Sequence, residues 1–267
     1  PWISNGDGTY RYTYIGTTDT DYSGPVHDPQ CTKDDIQYVL DAVNASITTG
    51  VTEADVTGVW SGLRPLVKSD EKISGRTADL SRRHKVIASE NGVVTVTGGK
   101  LTTYREMAED AVDAVCELLK IKKSSKTKSL ALHGAQGSPQ TKNQRDIHLF
   151  SRYGSDASVL RDMINSDPTL GEELVPGLPY LRCEAVYAVT HEMATSVDDV
   201  LTRRTRARLL DRRSCVRAAR DVATLIQPYL NWSDADKDQS VEHFIDECAR
   251  EDAAAMVTEA EFIASTQ

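Results

Sequence analysis

Two spacings of apolar residues alternate along the first 120 positions of the chain. Over Tyr10–Thr17, aromatic and β-branched residues alternate with polar ones, which predicts a strand. Asn5-Gly6-Asp7-Gly8 before it is a hairpin-turn cluster. Helical spacing follows at Ile36, Val39, Leu40 and Val43, behind Thr32-Lys33-Asp34-Asp35. There Thr32 can cap, and the two aspartates suit the positive end of a helix. Thr52-Glu53-Ala54-Asp55 reads as a turn or short helix leading into a strand over Val56–Leu66 that ends at Pro65. Lys85–Ala88 and Val93–Thr97 read as short strands joined through Glu90-Asn91-Gly92, since Asn-Gly is a strong hairpin signal. After Gly98-Gly99 the spacing becomes helical. Leu101, Tyr104, Met107, Ala108, Ala111, Val112, Val115 and Leu118 put an apolar face on a long helix over Leu101–Leu119.

Residues 121–142 break this pattern with Lys122, Lys123, Lys126 and Lys128 among Ser and Thr, then Gly134, Gly137 and Pro139. Beyond them the spacing is helical throughout: 144–154, 155–165, 180–195, 196–210, 212–230 and 238–263. Pro168, Pro176, Pro179 and Pro228 mark expected breaks, because Pro removes a helical donor. The predicted fold class is α+β, followed by an all-α C-terminal helical domain. The predicted division is 1–120, a linker at 121–142, and 143–267.

Composition narrows the function classes. The 267 residues carry a formal net charge of −9, of which −7 falls in 141–267 and −2 before it. An acidic balance argues against general nucleic-acid binding. The arginine run Arg203, Arg204, Arg206, Arg208, Arg212, Arg213, Arg217 and Arg220 is answered by ten acidic residues from Asp234 to Glu261. The two segments therefore read as complementary helices. No stretch has the length and apolarity of a membrane helix. Five scattered cysteines, with no CxxC spacing, read as reduced, mostly buried thiols.

Four segments carry candidate chemistry. Gly98-Gly99-Lys100-Leu101-Thr102-Thr103 sits between a strand and a helix, a layout that can turn backbone N–H groups and a cation towards an anion. A plain strand–helix junction has the same layout. The segment is not a phosphate-binding P-loop: Val94 stands where that motif needs Gly, and Leu101 where it needs Ser or Thr. Arg64, in Trp60-Ser61-Gly62-Leu63-Arg64-Pro65-Leu66, is either paired with a carboxylate or anion, or exposed on an edge strand. Ser81-Arg82-Arg83-His84 offers two adjacent cations that a strand would point to opposite faces. Gly16-Thr17-Thr18-Asp19-Thr20-Asp21-Tyr22 lacks the later ligands of a calcium loop and reads as a turn. His191-Glu192-Met193-Ala194-Thr195 has Thr where a zinc helix needs its second His, so no metal site is expected.

Together GTTDTDY (16–22), WSGLRPL (60–66), SRRH (81–84) and TGGKLTTYREMAEDAVD (97–113) resemble the FAD-dependent glycerol-3-phosphate dehydrogenases. YLRCEAVYAVTHEMATSVDDVLTRRTRARLL (180–210) resembles that family's C-terminal domain. The resemblance implies oxidation of sn-glycerol 3-phosphate to dihydroxyacetone phosphate, with hydride passing from C2 to the flavin. Electrons then pass to quinone or, in oxidase relatives, to O₂. It implies that Arg64 and Arg82 hold the substrate phosphate, and that Lys100 is the active-site lysine. It also implies that Gly98, Gly99, Leu101 and Thr102 form the turn that meets the flavin ring. A cytoplasmic setting follows, peripheral at the inner face of the cell membrane in the complete enzyme. The family's GxGxxG motif does not occur in this chain, and the chain opens at Pro1 without Met. A C-terminal portion that by itself is inactive and free of FAD is therefore expected. Homo-oligomerisation, with the helical region as a non-catalytic docking module, is the competing expectation.

Overall fold

The structure is a computed structural model that describes residues 3–4, 10–66, 83–135, 137 and 143–266. The chain divides into two compact units. One comprises 1–18, 27–61 and 134–267; the other comprises 19–26 and 62–133.

In the larger unit, β1 (Ile3–Ser4) pairs antiparallel with β2 (Tyr10–Tyr12), setting Ile3 opposite Tyr12. The strand predicted over Tyr10–Thr17 thus stops at Tyr12, and the turn predicted at 5–8 lies outside the described residues. Helix α1 (Lys33–Asn44) starts as predicted. The Asp35 carboxylate accepts from both the N–H and the hydroxyl of Thr32, each at 3.1 Å. Residues 56–66 form no strand. Gly58, Gly62 and Pro65 interrupt them, and no described strand offers them a ladder.

Helices α3 (Gln144–Tyr153), α4 (Ala157–Ser166), α5 (Arg182–His191), α6 (Ala207–Leu210), α7 (Arg212–Leu230), α8 (Asp234–Ala254) and α9 (Glu259–Thr266) complete this unit. The helix predicted over 196–210 is instead a π-helical turn at Asp199–Arg204 followed by α6; between them Arg206 is left-handed at φ 62°. The segment 238–263 is two helices, because α8 ends at Ala254 and the chain restarts at Glu259. Pro228 does not break α7 but sits inside its last turn, which closes at left-handed Asn231 (φ 55°).

Two apolar clusters hold these helices. Leu149, Leu160, Ile164 and Val186 join α3, α4 and α5. Ala185, Val222, Ile226 and Phe244 join α5, α7 and α8. A side chain such as Leu160 or Ile226, with no exposure at all, contributes roughly 1.5–3 kcal/mol by leaving water. The predicted charge complementarity is internal to this unit: Arg208 pairs with Asp198 and Glu251, Arg212 with Glu251 and Asp252, and Arg220 with Asp238. All five cysteines are free thiols, and Cys183, Cys215 and Cys248 are buried.

The smaller unit is built on a hairpin. β3 (Lys85–Ala88) pairs antiparallel with β4 (Val94–Thr97) in the register Lys85 to Thr97 and Ala88 to Val94. Gly92, at φ +85°, supplies the left-handed residue of the predicted Asn-Gly turn. Helix α2 (Tyr104–Leu118) packs on this hairpin, entered through one 3₁₀ turn at Leu101–Thr103. The helix predicted over 101–119 is thereby found, tightened at its start.

Candidate functional site

The smaller unit carries the candidate residues described by the structure. As β4 ends, Gly98 and Gly99 adopt φ +78° and +81°, a conformation that side chains with a Cβ rarely take. Space favours glycine at the second position as well, because the flexible end of Met107 would have to move aside for a side chain. A Cβ there would lie 2.5 Å from Met107 Sδ and 3.1 Å from His84 Cβ. The two glycines swing the backbone from the strand into the 3₁₀ turn, leaving Lys100 extended at φ −137° at its head. The Lys100 N–H donates to Thr103 Oγ1 at 3.3 Å, and that hydroxyl donates back to the Lys100 carbonyl at 3.0 Å. The Thr103 side chain thus ties the first turn back to Lys100.

Leu101 and Thr102 are then the first helical residues, whose N–H groups helix geometry leaves without an intrahelical acceptor. Together with the Lys100 cation they form a donor-rich, positive end. Lys100, Leu101 and Thr102 are all exposed, Leu101 at 88%. Behind the turn, His84 Nε2 lies 2.6 Å from Asp110 Oδ2, tying the chain ahead of β3 to α2. This brace was not read from the sequence, where His84 stood only at the end of a cationic run.

Arg64 shares this unit and is bound by a carboxylate, as the paired alternative anticipated. Its Nε–H donates to Asp19 Oδ1 at 3.0 Å, with the two side chains 43% and 38% exposed. It is neither buried nor on a strand. Asp19 stands in the GTTDTDY segment, whose sequence suggested a turn and gave no sign of this partner. No hydrogen bond or ion pair joins Arg64 to the 98–103 turn among the described residues. Arg82 lies outside the described residues. Among the described residues no group of His, Cys, Asp and Glu could hold a metal ion, and no helix is long and apolar enough to cross a membrane.

The larger unit holds a buried charge instead. Glu184, on α5, has no exposure and accepts four hydrogen bonds: His148 Nε2 at 2.7 Å, Arg152 Nε at 3.0 Å, Tyr153 hydroxyl at 2.9 Å and Leu181 N–H at 2.9 Å. Burial by itself raises a carboxyl pKa; the His148 bond and charge, with Arg152 and the Leu181 amide, outweigh it and leave Glu184 below the ordinary value. A single Glu within the apolar run 180–189 was the sequence signal for such a paired charge.

These features match known proteins in two segments. Residues 3–105 match the family model described as FAD dependent oxidoreductase, and residues 125–237 match the C-terminal domain of alpha-glycerophosphate oxidase. The chain belongs, in part, to the FAD-dependent glycerol-3-phosphate dehydrogenase family. It is 39% identical over 245 residues to glycerol-3-phosphate dehydrogenase 2 of Mycobacterium bovis, covering 86% of this chain and 41% of the relative. The glycerol-3-phosphate dehydrogenase of Mycobacterium leprae is 37% identical over 241 residues, covering 85% and 41%. The chain thus spans about two-fifths of the length of these relatives. Among solved structures, the glycerol-3-phosphate dehydrogenase of Bacillus halodurans, complexed with FAD, superposes with a TM-score of 0.69 at 28% identity. That match covers 87% of this chain and 48% of the other.

Proposed function

We propose that this chain supplies the substrate-phosphate and flavin-ring elements of an enzyme that oxidises sn-glycerol 3-phosphate to dihydroxyacetone phosphate. The observation that carries this reading is the Gly98-Gly99 turn. Two left-handed glycines, one of them beside Met107 and His84, deliver the exposed N–H end of a helix and one lysine to the same place. The residues fit the ring end of FAD: a planar group whose edge becomes negative on reduction suits free amide donors and a cation. FAD, when bound, supplies the acceptor for the hydride leaving C2 of the substrate. No GxGxxG segment for the cofactor's pyrophosphate occurs in this chain, so the fit concerns the ring alone.

The chain's own residues then divide the work. Arg64, with Arg82 as the second cation, holds the phosphate and fixes which carbon faces the ring. The Leu101 and Thr102 amides orient the cofactor edge. The Lys100 ammonium steadies the negative charge that develops on the C2 oxygen as its proton leaves. In this reading electrons pass onward to quinone, and the enzyme works in the cytoplasm with peripheral contact at the inner face of the membrane. A second reading takes O₂ as acceptor; it draws on the match of 125–237 to an oxidase C-terminal domain. Peroxide release during turnover separates the two.

The test is dye reduction by sn-glycerol 3-phosphate in a complete FAD-bound enzyme that carries these residues. Arg64→Ala is expected to raise KM roughly 10- to 100-fold, the loss of a charge-assisted hydrogen-bond donor. Lys100→Ala is expected to lower kcat more than it changes KM. An unaltered KM in Arg64→Ala removes the phosphate assignment.

A further inference from the structure

We propose that Asp19 is the positioning residue of Arg64, holding the guanidinium by Nε so that its two terminal amino groups are presented to the substrate phosphate. The inference rests on the phosphate-binding reading of Arg64 given above. A guanidinium can meet an oxyanion at two places: the side formed by Nε and one terminal nitrogen, or the end formed by both terminal nitrogens. Asp19 Oδ1, 3.0 Å from Nε, occupies the side. Among the described residues, no hydrogen bond is made by the terminal nitrogens of Arg64. The end is therefore the face left for an anion, and with 43% of the side chain exposed an anion can reach it.

The effect is one of preorganisation. An arginine side chain has large rotamer freedom, and a loosely held guanidinium must lose it when phosphate binds. The contact spans 45 positions of sequence, so it anchors Arg64 to a different segment rather than to its own neighbours. It also gives the carboxylate of GTTDTDY a use in this site, where no group of His, Cys, Asp and Glu among the described residues could hold a metal ion. The opposing effect is repulsion between Asp19 and the phosphate dianion. A phosphate at the end of the guanidinium lies on the far side from Asp19, and both side chains are well hydrated. The repulsion is accordingly small and screened by salt. Orientation outweighs charge.

Asparagine separates the two effects, because it keeps an oxygen acceptor for Nε and removes the charge. In the complete FAD-bound enzyme that carries these residues, Asp19→Ala is expected to raise KM for sn-glycerol 3-phosphate roughly threefold to tenfold, far more than it lowers kcat. Asp19→Asn recovers most of that loss. In ¹⁵N-labelled protein without FAD, the Arg64 Nε–H resonance exchanges slowly; it exchanges rapidly in Asp19→Ala, and inorganic phosphate shifts the terminal amino signals in the unsubstituted chain. If KM falls in both variants, Asp19 competes with the substrate and the proposal is overturned. It is likewise overturned if Asp19→Ala leaves KM and the Nε–H exchange unaltered while Arg64→Ala impairs binding. If Arg64→Ala itself leaves KM unaltered, the phosphate reading falls and this inference falls with it.

Discussion

The two units solve the same problem unequally. In the larger one, α3, α4, α5, α7 and α8 converge, and side chains such as Leu149, Leu160, Val197 and Phe244 reach zero exposure. In the smaller one, a helix with the same amphipathic pattern lies on a two-stranded hairpin and buries none of its residues. Leu101, Leu119, Leu130 and Leu132 there are 63–88% exposed. A helix buries its apolar stripe only when enough partners surround it, and a hairpin with one helix has few partners to offer. The candidate chemistry lies in the open unit. The closed unit spends its charges on its own interior, with Glu184, Arg152 and His148 satisfied by one another.

The sharpest break of this contrast is Glu184→Ala. Removing it takes the carboxylate from half-buried Arg152 and His148, and the expected loss is about 3–5 kcal/mol, read by urea unfolding of the helical unit. Acid should act in the same direction. The folded pKa of Glu184 lies below its unfolded value, so its stabilisation is complete above the unfolded pKa and is lost as pH falls through the folded one. Denaturation midpoints measured from neutral pH down to about pH 3 should fall for the unsubstituted chain and flatten in Glu184→Gln. Next comes the pair Leu160→Ala and Leu130→Ala. Leu160, at 0% exposure, should cost about 2–5 kcal/mol, whereas Leu130, at 70%, should cost under about 0.5 kcal/mol. Equal costs would erase the distinction between the units.

Gly99→Ala lies between these extremes in energy but matters most for the site. Its φ of +81° and the contact with Met107 should cost about 1–3 kcal/mol, and hydrogen exchange at the Leu101 and Thr102 amides should change with it. A small effect is also expected from His84→Gln, which keeps a donor for Asp110. Its unfolding free energy should move by less than about 1 kcal/mol, and His84→Ala by more, if the brace behind the turn is a single hydrogen bond.

Much of this architecture was legible from local signals. Asn91-Gly92 marked a hairpin in which β3 fell where the β-rich run placed it and β4 began one residue later, because the three-residue connection 90–92 needs one left-handed residue, and Gly92 supplies it. The start of α1 was legible in Thr32 and Asp35 for the same local reason. Val56–Leu66 misled because β-branched and apolar content predicts a strand without supplying a neighbour to pair with. Pro228 misled because a proline near a helix end costs less than one in its middle, where more of the helix follows. In the site, GGKL and Arg64 were legible as types of chemistry. Their partners were not, since Asp19 and Asp110 lie 45 and 26 positions from the groups they hold.

By itself, the sequence determined the helices, the hairpin, the glycine-led turn into α2 and the family to which the chain belongs. These depend on residues within a few positions of one another, or on motifs carried intact. Only the tertiary structure decided which apolar faces close and which stay open, and that Asp19 holds Arg64. Those outcomes depend on which distant segments meet. A linear pattern states what a side chain can do, and the packing of the chain selects what it does.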